Sequence, residues 1–390
     1  MFEAIHTPDE TQARQRGLAH GQQGAHAIAH SMQTYARLFA QAGWAWPQVC
    51  ARALEFVPVV AEVDVALVDE VKGIAEGCGQ TEAAIWALNC RSEILPPNFM
   101  GDLGEASQSA LRENEALGLR DWATSGLDPA LADGECTALS VSGRATADGH
   151  TYFAQNWDWM GRQRESLRFL VTRNANGQSL VTLTEAGMLG KIGLNAQGLA
   201  LGLNIIRSVD DGSRLGVPVH VLLRHLLGLD SVQAMRQRLS ELDALGFGAS
   251  SNVPCADGSG DVASFEISPH GWGECQAGAH GTVAHSNHFL CPTLAPHQAP
   301  MAANLSSDLR LATAQRHGQR QGLDRPALEA FLRDQSDGDV AVCRSPDPSI
   351  PVEARVESVA GVIADVSAKR WWVAPDVPHR CAFEPAPTAW

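Results

Sequence analysis

The chain has 390 residues, 45% of them hydrophobic, and carries a formal charge of −15 from 29 basic and 44 acidic side chains. That length and apolar share suffice for a substantial core, and the acidic balance lacks the clustered Lys and Arg on which phosphate-backbone binding depends, so nucleic acid is not expected as a partner. Nine cysteines, an odd set with no C-x-x-C pair, sit in a chain too long to need disulfide staples; they read as reduced thiols, and no metal or cofactor is expected.

The start, MFEAIHTPDETQARQRG, has no basic segment leading into an apolar core, and no apolar run approaches the ~20 residues of a membrane span. The last residues, Pro387-Thr388-Ala389-Trp390, are not an S-K-L address. A cytoplasmic protein without a membrane partner is expected.

The first hundred residues carry helical patterns. Val65 to Glu76 places Leu67, Val68, Val71, Ile74 and Ala75 on one stripe, stopped by Gly77 and Gly79. Thr81 then caps a second helix through Ile85, Trp86 and Leu88, which ends near Arg91 to Glu93 before Pro96-Pro97. From 96 to 135 the composition shifts to Gly, Ser, Ala, Asp and Glu. This stretch reads as a mobile connector able to tolerate a chain break; an ordinary surface loop with a short helix fits the same composition.

Beyond it come two apolar runs around an Asp148-Gly149 turn, a hairpin that brings Cys136, at the start of one strand, near Asn156 and Asp158 at the end of the other. Further strands follow at Leu167 to Arg173, Ser179 to Glu185, Lys191 to Leu194 and Leu199 to Ile205. Pro218 opens a helix through Leu227 and Asp230 caps another to Leu245; hairpins then occupy Asn252 to Ile267 and Val356 to Val373. Antiparallel strands interspersed with helix pairs define an α+β layer fold. The histidines at 280, 285 and 288 form no H-E-x-x-H, and His285 and His288 would face opposite sides of a strand, so they read as structural. No G-x-S-x-G elbow, P-loop or G-x-G-x-x-G occurs.

Glu135-Cys136-Thr137, Gln155-Asn156-Trp157-Asp158, the run from Leu183-Thr184-Glu185 to Gly193-Leu194-Asn195, and Ala284-His285-Ser286-Asn287-His288 stand in an order that resembles the acyl-coenzyme A:6-aminopenicillanate acyltransferase family. Glu70 to Gly77 and Asn89 to Glu93 resemble the family's upstream half. The resemblance implies a self-processing N-terminal nucleophile hydrolase: a four-layer αββα fold with two stacked, mainly antiparallel sheets, cut between Glu135 and Cys136. It implies one integrated domain made of a helical segment, 1–135, and a catalytic segment, 136–390, that stay associated as partners. Family members with the fungal pattern have Gly before the cysteine, where this chain has Glu135.

By the same resemblance Cys136 is the nucleophile, Asp158 holds its amine, Asn287 donates to the oxyanion, and Arg344 fixes the cysteine's surroundings. A freed Cys136 α-amine, with a reference pKa of ~7.7–8.0, would serve as base. Asn156, Thr137 and Glu185 are weaker candidates for substrate contact or support. The substrate would be a small N-acyl amide or an acyl thioester, opened through an acyl-enzyme. An acyl-CoA-dependent N-acyltransferase and a non-catalytic binding protein that keeps the fold uncut are the alternatives, and homo-oligomerisation is left open.

Overall fold

A computed structural model describes residues 1–8, 12–96, 104–122, 135–300 and 304–390. The chain opens with β1 (Ala4–His6), α1 (Ala13–Gln41), α2 (Trp46–Leu54), α3 (Val57–Cys78), α4 (Glu82–Asn89), α5 (Arg91–Ile94) and α6 (Glu105–Ala116). Strands β2 (Glu135–Val141), β3 (Tyr152–Met160), β4 (Leu167–Arg173), β5 (Ser179–Glu185), β6 (Ile192–Asn195), β7 (Ala200–Leu201) and β8 (Asn204–Ile205) precede α7 (Val219–Leu226) and α8 (Val232–Leu242). Then come β9 (Ser251–Ala256), β10 (Val262–Ser268), β11 (Gly271–Gln276) and β12 (Thr282–His285), helices α9 (Asn304–Gly318) and α10 (Arg325–Leu332), and finally β13 (Val356–Asp365), β14 (Arg370–Ala374) and β15 (Glu384–Pro385).

The strands form two stacked sheets, in the orders β1-β4-β5-β6-β7-β9-β10-β11, with β8 beside β9, and β12-β2-β3-β13-β14-β15. All pairings are antiparallel except β1 with β4. Helices α1, α3, α4, α7 and α8 cover the outer face of the first sheet, and α9 and α10 that of the second. Every residue of β3 and of β13 is buried, as expected of central strands covered on both faces. The α+β, four-layer expectation holds.

Helices α1 and α3 approach so closely that a Cβ on Gly17 or Gly21 would lie 2.0 or 2.2 Å from the carbonyl oxygens of Glu70 and Ile74, and one on Gly73 or Gly77 would lie 2.1 or 2.2 Å from those of Arg14 and Leu18. Glycine is required there because backbone meets backbone. A buried carboxylate, Glu70, sits in the same interface 3.1 Å from Arg224 of α7 and 3.7 Å from Arg16. The stripe expected at Val65 to Glu76 is the second half of α3. The helix begins earlier, and at Asp64 the backbone turns extended (φ −165°, ψ 102°) while Asp64 Oδ1 accepts from Ala66 N–H at 2.9 Å, restarting the helix as a cap would.

The connector departs from the expectation of a mobile stretch where it is described. Helix α6 docks through Ala110 against Ala40 and Ala45, and the buried Asn114 accepts from Trp46 N–H at 2.7 Å and donates to Ala36 O at 3.1 Å. A short helix with a small apolar contact face is therefore part of the fold; the rest of the connector, 97–103 and 123–134, lies outside the described residues. Two helices absent from the sequence reading, α9 and α10, cover the sheet that carries Cys136.

Candidate active site

Strand β2 begins at Glu135, and its register against β3 pairs Glu135 with Asp158, Cys136 with Trp157, and Thr137 with Asn156. Directly paired residues of an antiparallel ladder point to the same face. Cys136 and Trp157 therefore turn inward, toward the first sheet, whereas Thr137, Asn156 and Asp158 turn outward, toward α9 and α10. The shared rim expected for thiol, amide and carboxylate is instead a strand start with the thiol on one face and the carboxylate on the other.

The Cys136 backbone is clamped at both ends by side chains from distant segments. Its N–H donates to Asn287 Oδ1 at 2.9 Å, and its carbonyl accepts from Arg310 Nη1 at 2.7 Å. The same Arg310 nitrogen donates to Thr137 Oγ1 at 3.0 Å, and all of these residues are buried. Asn287 is fixed in turn by Nδ2 donating to Ile205 O at 2.7 Å and by its own N–H on Ser307 Oγ at 2.8 Å. The expected oxyanion donor thus commits one of its two amide hydrogens to β8 and offers its oxygen to the cysteine nitrogen.

Asp158 is 1% exposed, and Ser358 Oγ donates to its Oδ1 at 2.5 Å. Ser358 is held by Arg344, whose N–H donates to Ser358 Oγ at 2.9 Å. Arg344 thus reaches Asp158 through its backbone N–H and Ser358, and the Arg310 guanidinium touches the cysteine carbonyl. A register shift in β13 between Ser358 and Ala360 lies beside this contact, a common place for a strand irregularity to re-aim a side chain. Burial pushes the Asp158 carboxyl up to about 7, against the pull of Arg310 and Ser358. Its Oδ2 has no hydrogen-bond partner among the described residues. An unpaired buried oxygen is costly, and this one belongs to the cross-strand partner of Glu135, beside the Glu135–Cys136 peptide bond.

On the inner face Lys191 lies 3.5 Å above the centre of the Trp157 ring and 3.8 Å from Glu185. Burial draws the ammonium down to about 7 although Glu185 supports its charge. Glu185 has no exposed surface; Tyr35 Oη and Gln163 Nε2 donate to its Oε1 at 2.5 and 2.6 Å, and Arg91 lies 3.5 Å from Oε2. Burial would raise this carboxyl, but Arg91, Lys191 and the hydrogen bonds from Tyr35 and Gln163 together outweigh it and bring it to about 2. Glu185 is therefore placed as the counter-ion of a cationic pair behind the thiol. The thiol of Cys136, 4% exposed, is pushed up to about 11 by burial and by the Asp158 charge, against Lys191 and Arg310. It rests protonated at neutral pH.

Asn156 is a strut: Nδ2 donates to Leu332 O at 2.9 Å and Val342 O at 2.8 Å, tying the end of α10 and the next loop to β3. Of Glu135 only the backbone is described. Among the histidines, His285 Nε2 meets Glu266 at 2.7 Å while His288 meets Ser307 at 2.7 Å, so they do not converge. Arg310 and Lys191 were missed as site residues in the sequence: α9 was not recognised, and Lys191 stood out only for the glycines around it.

Helices enclose two stacked, mainly antiparallel sheets, and a buried cysteine stands at the start of a strand paired on both sides. The chain belongs to the family described as acyl-coenzyme A:6-aminopenicillanic acid acyl-transferase, whose model matches residues 145–379. Asp158, Lys191, Asn287 and Arg310 lie inside the match and Cys136 just before it. The chain is 26% identical over 284 residues to the 40 kDa form of acyl-coenzyme A:6-aminopenicillanic-acid-acyltransferase from Emericella nidulans, covering 71% of this chain and 66%, just under two thirds, of that protein. Among solved structures it is similar to a mutant of conjugated bile acid hydrolase from Clostridium perfringens (11% identity, TM-score 0.43, 65% of this chain and 96% of the other). It is also similar to penicillin V acylase from Agrobacterium tumefaciens (15% identity, TM-score 0.41, 62% and 83%).

Proposed function

We propose that the chain is a self-cleaving cysteine enzyme that transfers the acyl group of a small N-acyl amide through a thioester on Cys136. The observation that carries this reading is the two-ended clamp on the Cys136 backbone, N–H on Asn287 and C=O on Arg310, next to a carboxylate with one oxygen unpaired among the described residues. The β12 ladder stops at Ala138, so the buried Cys136 backbone must find other partners; here they are side chains from two distant segments, and a nucleophile gains from being held in attacking geometry.

In the first step Cys136 Sγ attacks the Glu135 carbonyl carbon. The C–S bond forms, the C–N bond breaks, and the thiol proton ends on the departing nitrogen. Water then opens the thioester, giving Glu135 its carboxylate and returning a proton to sulfur; the products are residues 1–135 and 136–390. The new α-amine remains on Asn287 Oδ1 and supplies the donor that Asp158 Oδ2 lacks in the uncut chain. With a reference pKa of ~7.7–8.0 it becomes a base within reach of the thiol. Arg310 keeps the strand start fixed while the bond before it breaks.

In turnover the thiolate attacks the substrate's acyl carbon, the amine of Cys136 passes the thiol proton to the leaving nitrogen, and water or an acceptor amine takes the acyl group from sulfur. Asn287 serves first as the positioning group for the amine, and the second Nδ2 hydrogen is the one it has for an oxyanion while the first stays on Ile205 O. Incubation of the processed protein with a panel of N-acyl amides, followed by acid quench and peptide mass analysis, tests the reading. Amine release together with an acyl mass on the peptide beginning at Cys136 is expected. Amine release that persists in Cys136→Ala would overturn it.

A further inference from the structure

On the surface beside the segments that hold Asn287, three side chains from three separate parts of the chain converge. They are Asp210, in the loop after β8; His270, at the β10–β11 turn; and His297, on a single 3-10 turn between β12 and α9. One ligand-type atom from each lies within 4.8 Å of the other two. His270 Nε2 is 2.7 Å from Asp210 Oδ2 and His297 Nδ1 is 3.8 Å from the same oxygen. The two imidazole rings stack with centroids 3.5 Å apart and planes 16° apart.

We propose that Asp210, His270 and His297 form a binding site for a divalent transition-metal ion of the zinc type. Two imidazoles and one carboxylate are the donor set that zinc, cobalt and nickel favour and that magnesium and calcium, which favour all-oxygen surroundings, do not. Ligand atoms about 2.0–2.1 Å from one zinc ion stand roughly 3.3 Å apart. The contacts with Asp210 bracket that spacing, and closure has the half-exposed imidazoles turn out of their stack so that both lone pairs point at one ion. The close His270–Asp210 contact is held by a proton that the ion would replace. With three protein ligands the fourth position stays open to water.

The site stands on a fixed frame. Val209 N–H donates to His297 O at 3.0 Å, Ala299 N–H to Arg207 O at 2.9 Å, and Phe289 N–H to Gln298 Oε1 at 2.9 Å. Beneath it Ile206, Phe289 and Leu294 form a small apolar cluster. The segment bearing Asp210 begins with Ile205, whose carbonyl takes the Asn287 amide, and the segment bearing His297 begins with Asn287 itself. An ion at this site therefore clasps together the two chain segments that fix the partner of the Cys136 nitrogen.

The test uses the full-length protein, freed of metal with a chelator and titrated with Zn2+ by calorimetry and with Co2+ by absorption, beside His270→Ala/His297→Ala and Asp210→Asn. One ion per chain is expected, with visible cobalt bands but no thiolate-to-cobalt charge-transfer band, and a rise in thermal midpoint on adding Zn2+. Both variants should keep the metal-free thermal midpoint and bind at least about tenfold more weakly, since even the outer partners of metal ligands are worth that much. Three results would overturn the site: no binding by the parent, equal binding by the variants, or a cobalt spectrum dominated by sulfur.

Discussion

Asp158 lies beside the proposed cleavage site with its carboxyl pushed up to about 7 by burial and, among the described residues, no donor to its second oxygen. A carboxyl raised in the folded chain binds its proton there over a range where the unfolded chain has lost it. The folded state is therefore favoured below the unfolded value, near 3.8, and that advantage is lost as pH rises through about 7. In a Cys136→Ala background, which keeps the chain uncut, adding Asp158→Asn should remove this loss. Urea denaturation should find the doubly substituted chain gaining on the singly substituted one between pH 4.5 and 7.5, by on the order of 2–4 kcal/mol. A difference that stays flat with pH would show that Asp158 is charged and well solvated throughout.

At this scale Cys136, Asp158 and Asn287 were legible because they sit in short runs whose order resembles a family. Arg310 was not legible, since its partner Cys136 lies 174 positions away and a lone arginine on a weakly amphipathic helix carries no local signal. Arg344, expected to fix the cysteine's surroundings, supports Asp158 through its backbone N–H on Ser358.

Among the elements, α1 and α3 pack backbone against backbone, and the reason lies in four glycines rather than in the apolar stripe. A Gly→Ala change inside a helix ordinarily stabilises by about 1 kcal/mol. At Gly73 the new Cβ would stand 2.1 Å from Arg14 O, a collision with backbone that only separation of the helices relieves. Gly73→Ala should therefore destabilise, by about 3 kcal/mol, whereas Gly79→Ala meets nothing within 4 Å but is strained by its φ of +69°. Chemical denaturation of the two variants separates crowding from backbone strain; a neutral Gly73→Ala would mean that the helices part without loss. The stripe at Val65 to Glu76 was visible in sequence, but the start of α3 was hidden by the extended backbone at Asp64, and α6 by a composition that suits a loop as well as a short helix.

The whole molecule explains why a cut need not release a fragment. β1 adds in parallel to β4, α1 and α3 cover the first sheet, and one apolar core joins Ile28, Phe39 and Trp86 to Phe153, Trp157 and Val362 across the proposed break. The alternation of strands and helices was enough to expect the layers. Which faces meet was not, because register and stacking depend on pairings such as β3 with β13, far apart in sequence.

Self-cleavage at Cys136 is the claim on which the rest of the account depends, and intact mass under denaturing conditions tests it most directly, with Cys136→Ala alongside. The account predicts two fragments from the parent, with masses that place the break between Glu135 and Cys136, one uncut chain of about 41.6 kDa from the variant, and a native mass showing the two fragments still together. A single chain of that mass from both proteins would contradict it, leaving Cys136 without the α-amine that the mechanism requires.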